Sequence, residues 1–350
     1  MRVVFVGAGI AGALLAWRLH RSRPGVGVEV YAATPPGPDA TGASGGLVRG
    51  FDRDAVAGRL AAISLAELRG DARLLAAAAY REVGSVYLLP PGSDPTGSVR
   101  LVEELLPGSA AVLTGAEITG RWPFRDLPAG TVAVAERDAG YLSPARLRDA
   151  VLGWLADAGV AVRTVAVAGV EPTPAVRVAD GGTVACDVVV VAAGPWTPAV
   201  LRSSALPGQG LRTRQIQYQL YREGAAGLGA FVDDTCGLYG RPDGAGRMLL
   251  GVPGDRWDVE PGVVPADPAK IDLTADRARR RLGLPAGGRP VRTVASCDCY
   301  HEQPGLALRQ VLAGAPVFTF TGGCGGAAKT VLAASTAAAA ALLDRSPVPR

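Results

Sequence analysis

The residues most suggestive of chemistry are three glycines, Gly7, Gly9 and Gly12, spaced as Gly-x-Gly-x-x-Gly. An apolar run at residues 3–6 precedes them, and a helical pattern runs from Ala11 to about Arg21. In loops that bind a dinucleotide pyrophosphate, such glycines permit a tight turn, a close approach of backbone to phosphate, and close packing of helix on strand. The helix N-terminus adds free N–H groups and a positive dipole end. The sequence therefore predicts a dinucleotide site.

The same stretch has a second interpretation as a secretory signal, because Arg2 precedes an apolar run that extends to Trp17. A strand predicted at residues 26–31 argues against that reading, since it completes a β-α-β unit with the glycine loop. The alanine-rich segment from Leu332 to Leu343 is shorter than the roughly 20 apolar residues that a membrane span needs. We expect a soluble protein with no membrane partner.

Composition excludes several classes of function. The 350 residues carry a formal charge of only +4, without a basic stripe interleaved with aromatics, so we expect no nucleic-acid partner. Five cysteines form no disulfide framework, which favours a cytoplasmic location. No cluster has metal-ligand spacing, so we expect no metal. Two histidines leave little material for a Ser-His-Asp site.

Hydrophobic periodicity predicts a mixed α/β chain of one large or two interleaved domains. Residues 187–191 are continuously apolar, as in a buried parallel strand, whereas residues 212–300 alternate as in an antiparallel sheet. Ser143 and Pro144 form a helix start. The other predicted elements are a loop at 34–46, a helix at 53–80, strands at 86–89 and 160–165, sheet segments at 215–221, 238–239 and 248–252, a helix at 267–282, and a strand at 318–321 before a final helix.

Motifs along nearly the whole chain resemble the FAD-dependent D-amino-acid oxidase superfamily, and the later ones resemble its monomeric sarcosine oxidase-like branch. The motifs are Gly7–Gly12, Ser44–Arg49, Gly140–Pro144, Asp187–Thr197, Leu238–Pro242, Asp258–Pro265, Ser296–Tyr300 and Thr321–Lys329.

This resemblance implies a Rossmann-type FAD-binding domain with an inserted antiparallel-sheet substrate domain. Residues 1–80, 130–210 and 305–350 would form the discontinuous FAD domain, and residues 81–129 and 211–304 the substrate domain. The family removes a hydride from the C–N bond of an amino acid or secondary amine. The imine then hydrolyses, and O2 reoxidises the flavin. Protein side chains supply no hydride acceptor, so the cofactor must.

The resemblance assigns three residues to catalysis, each with an alternative. Arg49 and Lys329 would clamp a substrate carboxylate, since a planar guanidinium can grip it through two bonds. Otherwise they are surface cations, although Lys329 is one of only two lysines and follows a glycine cluster. Tyr239 would face the substrate or merely pack on its strand. Trp196 would line the flavin region or only pack.

The implied FAD contacts are Gly7, Gly9, Ile10, Ala11, Gly12, Ala43, Ser44, Gly194, Trp196, Cys297, Gly322, Gly323, Cys324, Gly325 and Lys329. A thioether to the flavin would form at Cys297 or Cys299, with Cys297 preferred, because relatives attach FAD near this position. The alternative is an inert buried cysteine.

Two positions depart from the family pattern. Where an acid normally contacts the ribose at the end of the second strand, this chain has Ala32, and Glu29 lies three residues earlier. Where relatives carry a lysine that promotes reaction with O2, this chain has Leu249. Loss of that cation should slow the oxygen reaction.

The predicted function is therefore an FAD-dependent amine or amino-acid oxidoreductase. Its partners would be a small amine or amino-acid substrate and O2, and we expect a monomer. Two alternatives remain open: a dehydrogenase with another electron acceptor, and a protein that binds FAD without turnover.

Overall fold

The computed structural model describes residues 1–34, 39–244, 246–284 and 289–344. Residues 35–38 of the predicted 34–46 loop and 345–350 of the predicted FAD domain lie outside the described residues. The α-helices are α1 (Ile10–Ser22), α2 (Ala55–Gly70), α3 (Ala72–Ala78), α4 (Thr96–Leu105), α5 (Gly115–Arg121), α6 (Pro144–Asp157), α7 (Thr197–Ser203), α8 (Pro268–Leu282) and α9 (Ala327–Asp344), and residues 194–196 form a 3-10 turn.

The strands of the described residues fall into two large sheets and two small ones. They are β1 (Arg2–Val6), β2 (Gly27–Tyr31), β3 (Leu47–Val48), β4 (Arg81–Glu82), β5 (Ser85–Leu89), β6 (Ala110–Thr114), β7 (Val132–Glu136), β8 (Gly140–Tyr141), β9 (Ala161–Arg163), β10 (Val167–Glu171), β11 (Ala175–Val178), β12 (Thr183–Ala185), β13 (Val188–Val191), β14 (Leu211–Tyr221), β15 (Ala230–Asp233), β16 (Leu238–Pro242), β17 (Met248–Gly251), β18 (Arg292–His301), β19 (Ala307–Gln310) and β20 (Val317–Thr321).

A six-stranded sheet in the order β19-β20-β13-β1-β2-β9 forms the first half of the molecule. All of its pairings are parallel except β19 with β20. Strands β1 and β13 are fully apolar over Val3–Val6 and Val188–Val191, because helices cover one face and a smaller sheet the other. Helices α1, α6 and α9 supply the buried apolar side chains of the helical face.

An eight-stranded sheet in the order β18-β14-β17-β16-β15-β5-β7-β6 forms the second half. Its pairings are antiparallel except β15 with β5. Strand β14 alternates buried and half-buried residues along much of its length, so one face packs on the core and the other faces the cavity described below.

These observations confirm the predicted fold class: a parallel nucleotide-type sheet joined to an antiparallel sheet. The helix predicted at 53–80 is in fact two helices. Asp71 interrupts it with extended backbone, and its carboxylate accepts hydrogen bonds from Arg73 N and Leu74 N at the start of α3. Strand β7 pairs within the eight-stranded sheet, although the sequence resemblance places residues 130–210 in the FAD domain.

Helix α9 is, among the described helices, the one long and apolar enough by composition to cross a membrane. Half of its 18-residue window is buried, and it packs against α1 and α2. In this structure it is therefore a core helix of the first half.

A buried ion pair joins β15 to α8 in the second half. Arg281 Nε lies 2.7 Å from Asp233 Oδ2, and the two side chains are 7% and 0% exposed. We expect Arg281→Met to lower the free energy of unfolding by about 3 kcal/mol, because it leaves a buried carboxylate without its cation. Urea denaturation of the purified protein measures this change.

The neighbouring Arg280 provides the control, since it pairs with Asp276 at an exposed site. Arg280→Met should cost at most about 1 kcal/mol. Equal losses for the two variants would contradict a special contribution from the buried pair.

Candidate active site

A cavity of 1110 Å³ runs between the two halves of the molecule. The loops after β1 and β20 line one side, and the exposed face of the eight-stranded sheet lines the other. Most of the predicted site residues line it: Gly7, Gly9, Ile10, Ala11, Ala43, Ser44, Arg49, Gly194, Trp196, Tyr239, Gly323, Cys324, Gly325 and Lys329. Gly12, Gly322 and Cys297 do not.

The first glycine loop has the close packing that a dinucleotide site requires. Gly7 has φ +112°, and a Cβ there would lie 2.4 Å from the carbonyl oxygen of Ala192. A Cβ at Gly12 would lie 2.2 Å from the Gly7 carbonyl oxygen, so this glycine serves helix packing and not cavity lining. Gly9 caps α1 without a side chain, and although Ile10 N donates to Thr41 Oγ1 at 3.1 Å, the next N–H groups of the first turn are directed toward an anion site. The loop fits a pyrophosphate.

The far end of β2 lacks the expected ribose contact. Ala32 follows the strand, and the Glu29 carboxylate is already engaged: Arg2 Nε donates to it at 2.8 Å and the Tyr31 hydroxyl at 3.0 Å. Beyond β2, Asp39 and its ion-pair partner Arg148 line the cavity, at 2.9 Å from each other. Asp39 and Arg148 line the cavity, whereas Glu29 does not.

The second glycine cluster turns the chain from β20 into α9. Gly322 and Gly325 have positive φ, and Cys324 between them also lies in the left-handed region at φ +51°. A Cβ at Gly322 would approach His301 Cβ to 2.9 Å, so Gly322 allows β18 to pass close by. Cys324, unlike Cys297 and Cys299, lines the cavity.

The two predicted carboxylate-binding cations meet a carboxylate of the protein itself. Asp52 Oδ2 contacts Lys329 Nζ and lies 3.7 Å from Arg49 Nη2. Burial would raise the pKa of Asp52, but the charges of Lys329 and Arg49 outweigh it and hold that pKa below its usual value. Burial, assisted by Arg49, lowers the pKa of Lys329 to about 8 against the attraction of Asp52. The three side chains therefore form one coupled cluster.

Glu136 positions the segment that carries this cluster. Its buried carboxylate accepts hydrogen bonds from Gly50 N at 2.7 Å and Phe51 N at 3.0 Å. Burial raises the pKa of Glu136, while these N–H donors and Arg49 oppose the rise. The Arg49 guanidinium carbon lies 4.8 Å from the ring centroid of Tyr87. This ring, together with the backbone that Glu136 holds at Gly50 and Phe51, therefore keeps the arginine in place.

Tyr239 lines the cavity from β16. Its hydroxyl donates to the Gln217 carbonyl oxygen at 3.0 Å. A Cβ at Gly251, directly opposite on β17, would lie 2.4 Å from that hydroxyl, so only glycine leaves room for the ring. Tyr239 is thus a fixed wall of the cavity.

Strand β18 presents Asp298 and Tyr300 to the cavity, and not the cysteines predicted to bind the flavin. Paired residues of an antiparallel sheet share a face, and successive residues alternate. Asp298 and Tyr300 line the cavity, while Cys297 and Cys299 point to the opposite side and are 1% and 0% exposed. Burial raises the pKa of Cys297 to about 11 and that of Cys299 to about 12. The structure does not bring either thiol to the cofactor cavity.

Leu249 is fully buried beside the cavity wall. Its cross-strand neighbour on β16 is Arg241, whose Nε donates to the carbonyl oxygen of Gly45 at 2.7 Å. Gly45 itself lines the cavity. The position where the resemblance leads us to expect an oxygen-promoting lysine is therefore apolar. The cation Arg241 lies on the neighbouring strand and is hydrogen-bonded to the loop that carries Gly45.

Sequence reasoning missed Asp52, Arg214, Asp298 and Tyr300. The signal for the last two was available, because strand alternation places Asp298 and Tyr300 together and Cys297 and Cys299 together. Asp52 lies three residues after Arg49, a spacing that carries no signal in an irregular segment. Arg214 depends on the register of β14 against β18, which pairs it with Asp298.

Comparison with known proteins gives one family. The sequence model described as FAD dependent oxidoreductase matches residues 2–341. A search of curated proteins finds no significant match.

Solved structures share this fold at low sequence identity. L-proline dehydrogenase from P. horikoshii has a TM-score of 0.82 at 15% identity, over 98% of this chain and 93% of that one. Glycine oxidase from Bacillus cereus has a TM-score of 0.75 at 17% identity, over 99% and 96%. Iminodiacetate oxidase from Chelativorans sp. BNC1 has a TM-score of 0.73 at 21% identity, over 99% and 97%.

The close approach of Gly12 to Gly7 makes a direct test of the cofactor loop. The Gly12→Ala variant should retain little FAD, and its free energy of unfolding should fall by about 1–3 kcal/mol, because the new methyl group meets backbone that cannot move. Flavin absorbance after purification and urea denaturation measure the two effects. Gly153→Ala on α6 is the matched control, because a Cβ there meets nothing within 4 Å. This change should raise the free energy of unfolding by up to about 1 kcal/mol.

The lowered pKa of Lys329 predicts a pH dependence of stability. Between about pH 8 and its ordinary value of 10.5, the unfolded chain holds a proton on this lysine that the folded protein has released. The free energy of unfolding should therefore rise with pH in that window, by up to about 1.4 kcal/mol per pH unit from this group. The comparison of wild type with Lys329→Met isolates the effect, and parallel pH curves would contradict it.

Proposed function

Because the chain belongs to the family of FAD-dependent oxidoreductases, we propose that it removes a hydride from the carbon–nitrogen bond of an amine or amino acid. The observation that carries this proposal is a cavity that joins the dinucleotide loop at Gly7 to the aromatic and charged sheet face around Tyr239. A cofactor on the loop and a small substrate on the sheet would share that space. The three structural neighbours described above, named for proline, glycine and iminodiacetate, support an amine substrate.

FAD, when bound, supplies the hydride acceptor that no side chain offers. The amine must bind in its neutral form, because its nitrogen lone pair forms the C=N bond as the hydride leaves. Ile216, Tyr218 and Tyr239 line the sheet side of the cavity and would confine the amine there and displace water. The released imine would hydrolyse to a carbonyl compound and an amine.

The first test is anaerobic addition of amines and amino acids to the purified, FAD-loaded protein. Loss of the flavin absorbance with any of them supports the proposal. If none of a broad panel bleaches the flavin, the alternative of a protein that binds FAD without turnover is favoured. Acid precipitation of the same preparation shows whether the flavin stays with the polypeptide, which tests the thioether predicted at Cys297 or Cys299.

We propose O2 as the final acceptor, with a second candidate: a dehydrogenase that passes electrons to another acceptor. The apolar Leu249 favours the second candidate, because developing negative charge on oxygen would meet no cation at that position. Oxygen consumption during turnover, compared with reduction of an artificial dye, separates the two.

Leu249→Lys should restore a cation beside the cavity. We expect the reduced variant to react with O2 on the order of 10- to 100-fold faster than the reduced wild type, through electrostatic stabilisation of the anion that forms. Stopped-flow absorbance measures the rate constant, and Leu249→Met is the control for altered packing. An unchanged rate in a folded variant would show that Arg241 or another group already supplies the charge.

A further inference from the structure

The pair of cations expected to hold a substrate carboxylate is already occupied. Asp52 contacts Lys329 and lies 3.7 Å from Arg49, and the three side chains are only 11–19% exposed. Asp52 Oδ1 also accepts a hydrogen bond from Asp54 N at 3.1 Å, which holds the carboxylate in place. A substrate carboxylate would have to displace Asp52 and leave it buried without a cation, which is strongly unfavourable.

Two of the other cations that line the described cavity already have carboxylate partners. Arg148 lies 2.9 Å from Asp39, and Arg163 lies 3.7 Å from Glu29. Arg214 is the remaining one, and it forms no ion pair within 4.0 Å with any carboxylate of the described residues. An unneutralised guanidinium in a substrate cavity is a site for an anion.

Arg214 is held rigidly without being neutralised. Its Nε donates to the Gly254 carbonyl oxygen at 2.8 Å, and Nη2 contacts the same oxygen. The guanidinium carbon lies 4.9 Å from the ring centroid of Trp257 and 5.4 Å from that of Tyr300. A carbonyl and two rings fix the plane of the guanidinium and leave its full charge available, so little ordering is needed when an anion binds.

Two carboxylates that could neutralise Arg214 are engaged elsewhere. Asp255 feels the charge of Arg214 but is exposed and pairs with Lys270 at 2.8 Å. Asp298 stands opposite Arg214 on β18, but its carboxylate accepts hydrogen bonds from Cys299 N at 2.7 Å and Gly325 N at 3.0 Å. Asp298 therefore fastens the second glycine loop to the sheet. Burial raises the pKa of Asp298, while the two backbone hydrogen bonds oppose the rise.

We propose that Arg214 binds the anionic group of the substrate, while Asp52 remains the resident partner of Arg49 and Lys329. This inference rests on the proposed function and narrows it to amines that carry a carboxylate. It moves the point of carboxylate recognition from the loop after β2 to the middle of the eight-stranded sheet.

The experiment compares ligands that differ only in charge. The FAD-loaded protein is titrated with benzoate and benzamide, followed by the change in flavin absorbance, and is assayed with proline and prolinamide as substrates. We expect the wild type to favour the acid of each pair. Arg214→Gln should weaken benzoate binding and raise the KM for proline by about 30-fold or more, with a smaller change in kcat and little change for the amides.

Arg212→Gln is the matched control. Arg212 lies two residues earlier on the same strand and also stacks on Trp257, at 5.0 Å, but it pairs with the exposed Asp258 and does not line the cavity. It should retain the acid preference. Arg214→Lys keeps the positive charge and should retain part of the preference for the acid over the amide. Comparing it with Arg214→Gln therefore separates loss of charge from a folding defect.

Lys329→Met distinguishes the two possible anion sites. Under our proposal the acid-to-amide ratio survives this change even if overall activity falls. A ratio that collapses in Lys329→Met and persists in Arg214→Gln would overturn the inference, as would a wild type that favours the amides. If no amine reduces the flavin, the proposed function fails separately, and the benzoate and benzamide titrations still decide the role of Arg214.

Discussion

The cofactor half of this protein depends on one close contact, the approach of helix α1 to strands β1 and β13. Gly7 and Gly12 allow it, because a side chain at either position would collide with backbone of the loop or of Ala192. With the helix this close, its N-terminus is directed into the cavity and the parallel sheet is covered by apolar side chains. A looser packing would remove both the anion site and much of the core.

The cavity combines this rigid loop with a sheet whose side chains set the chemistry. The cations on its lining are mostly compensated within the protein: Lys329 and Arg49 by Asp52, Arg148 by Asp39, and Arg163 by Glu29. Compensation matters here because a partly buried charge without a partner is costly. Arg214 is the exception among the lining cations, and it is consequently more informative than the cations that carry partners.

The fold and the cofactor loops were predictable because their requirements are local. The Gly7–Gly12 spacing, the apolar run at Val188–Val191 and the Ser143 cap each specify their own backbone, and the structure confirms them. The substrate side was not predictable to the same degree. Whether Cys297 or Asp298 faces the cavity depends on a one-residue difference in register, and the contact of Asp52 with Lys329 joins residues far apart in the chain.

Helix α9 adds a constraint on how the protein is made. It carries Lys329 in its first turn, follows the glycine cluster that closes the cavity, and packs along α1 and α2. During synthesis, the loop around Gly7 leaves the ribosome long before its counterpart around Gly323. The cavity is therefore complete only when the polypeptide contains both glycine loops and α9.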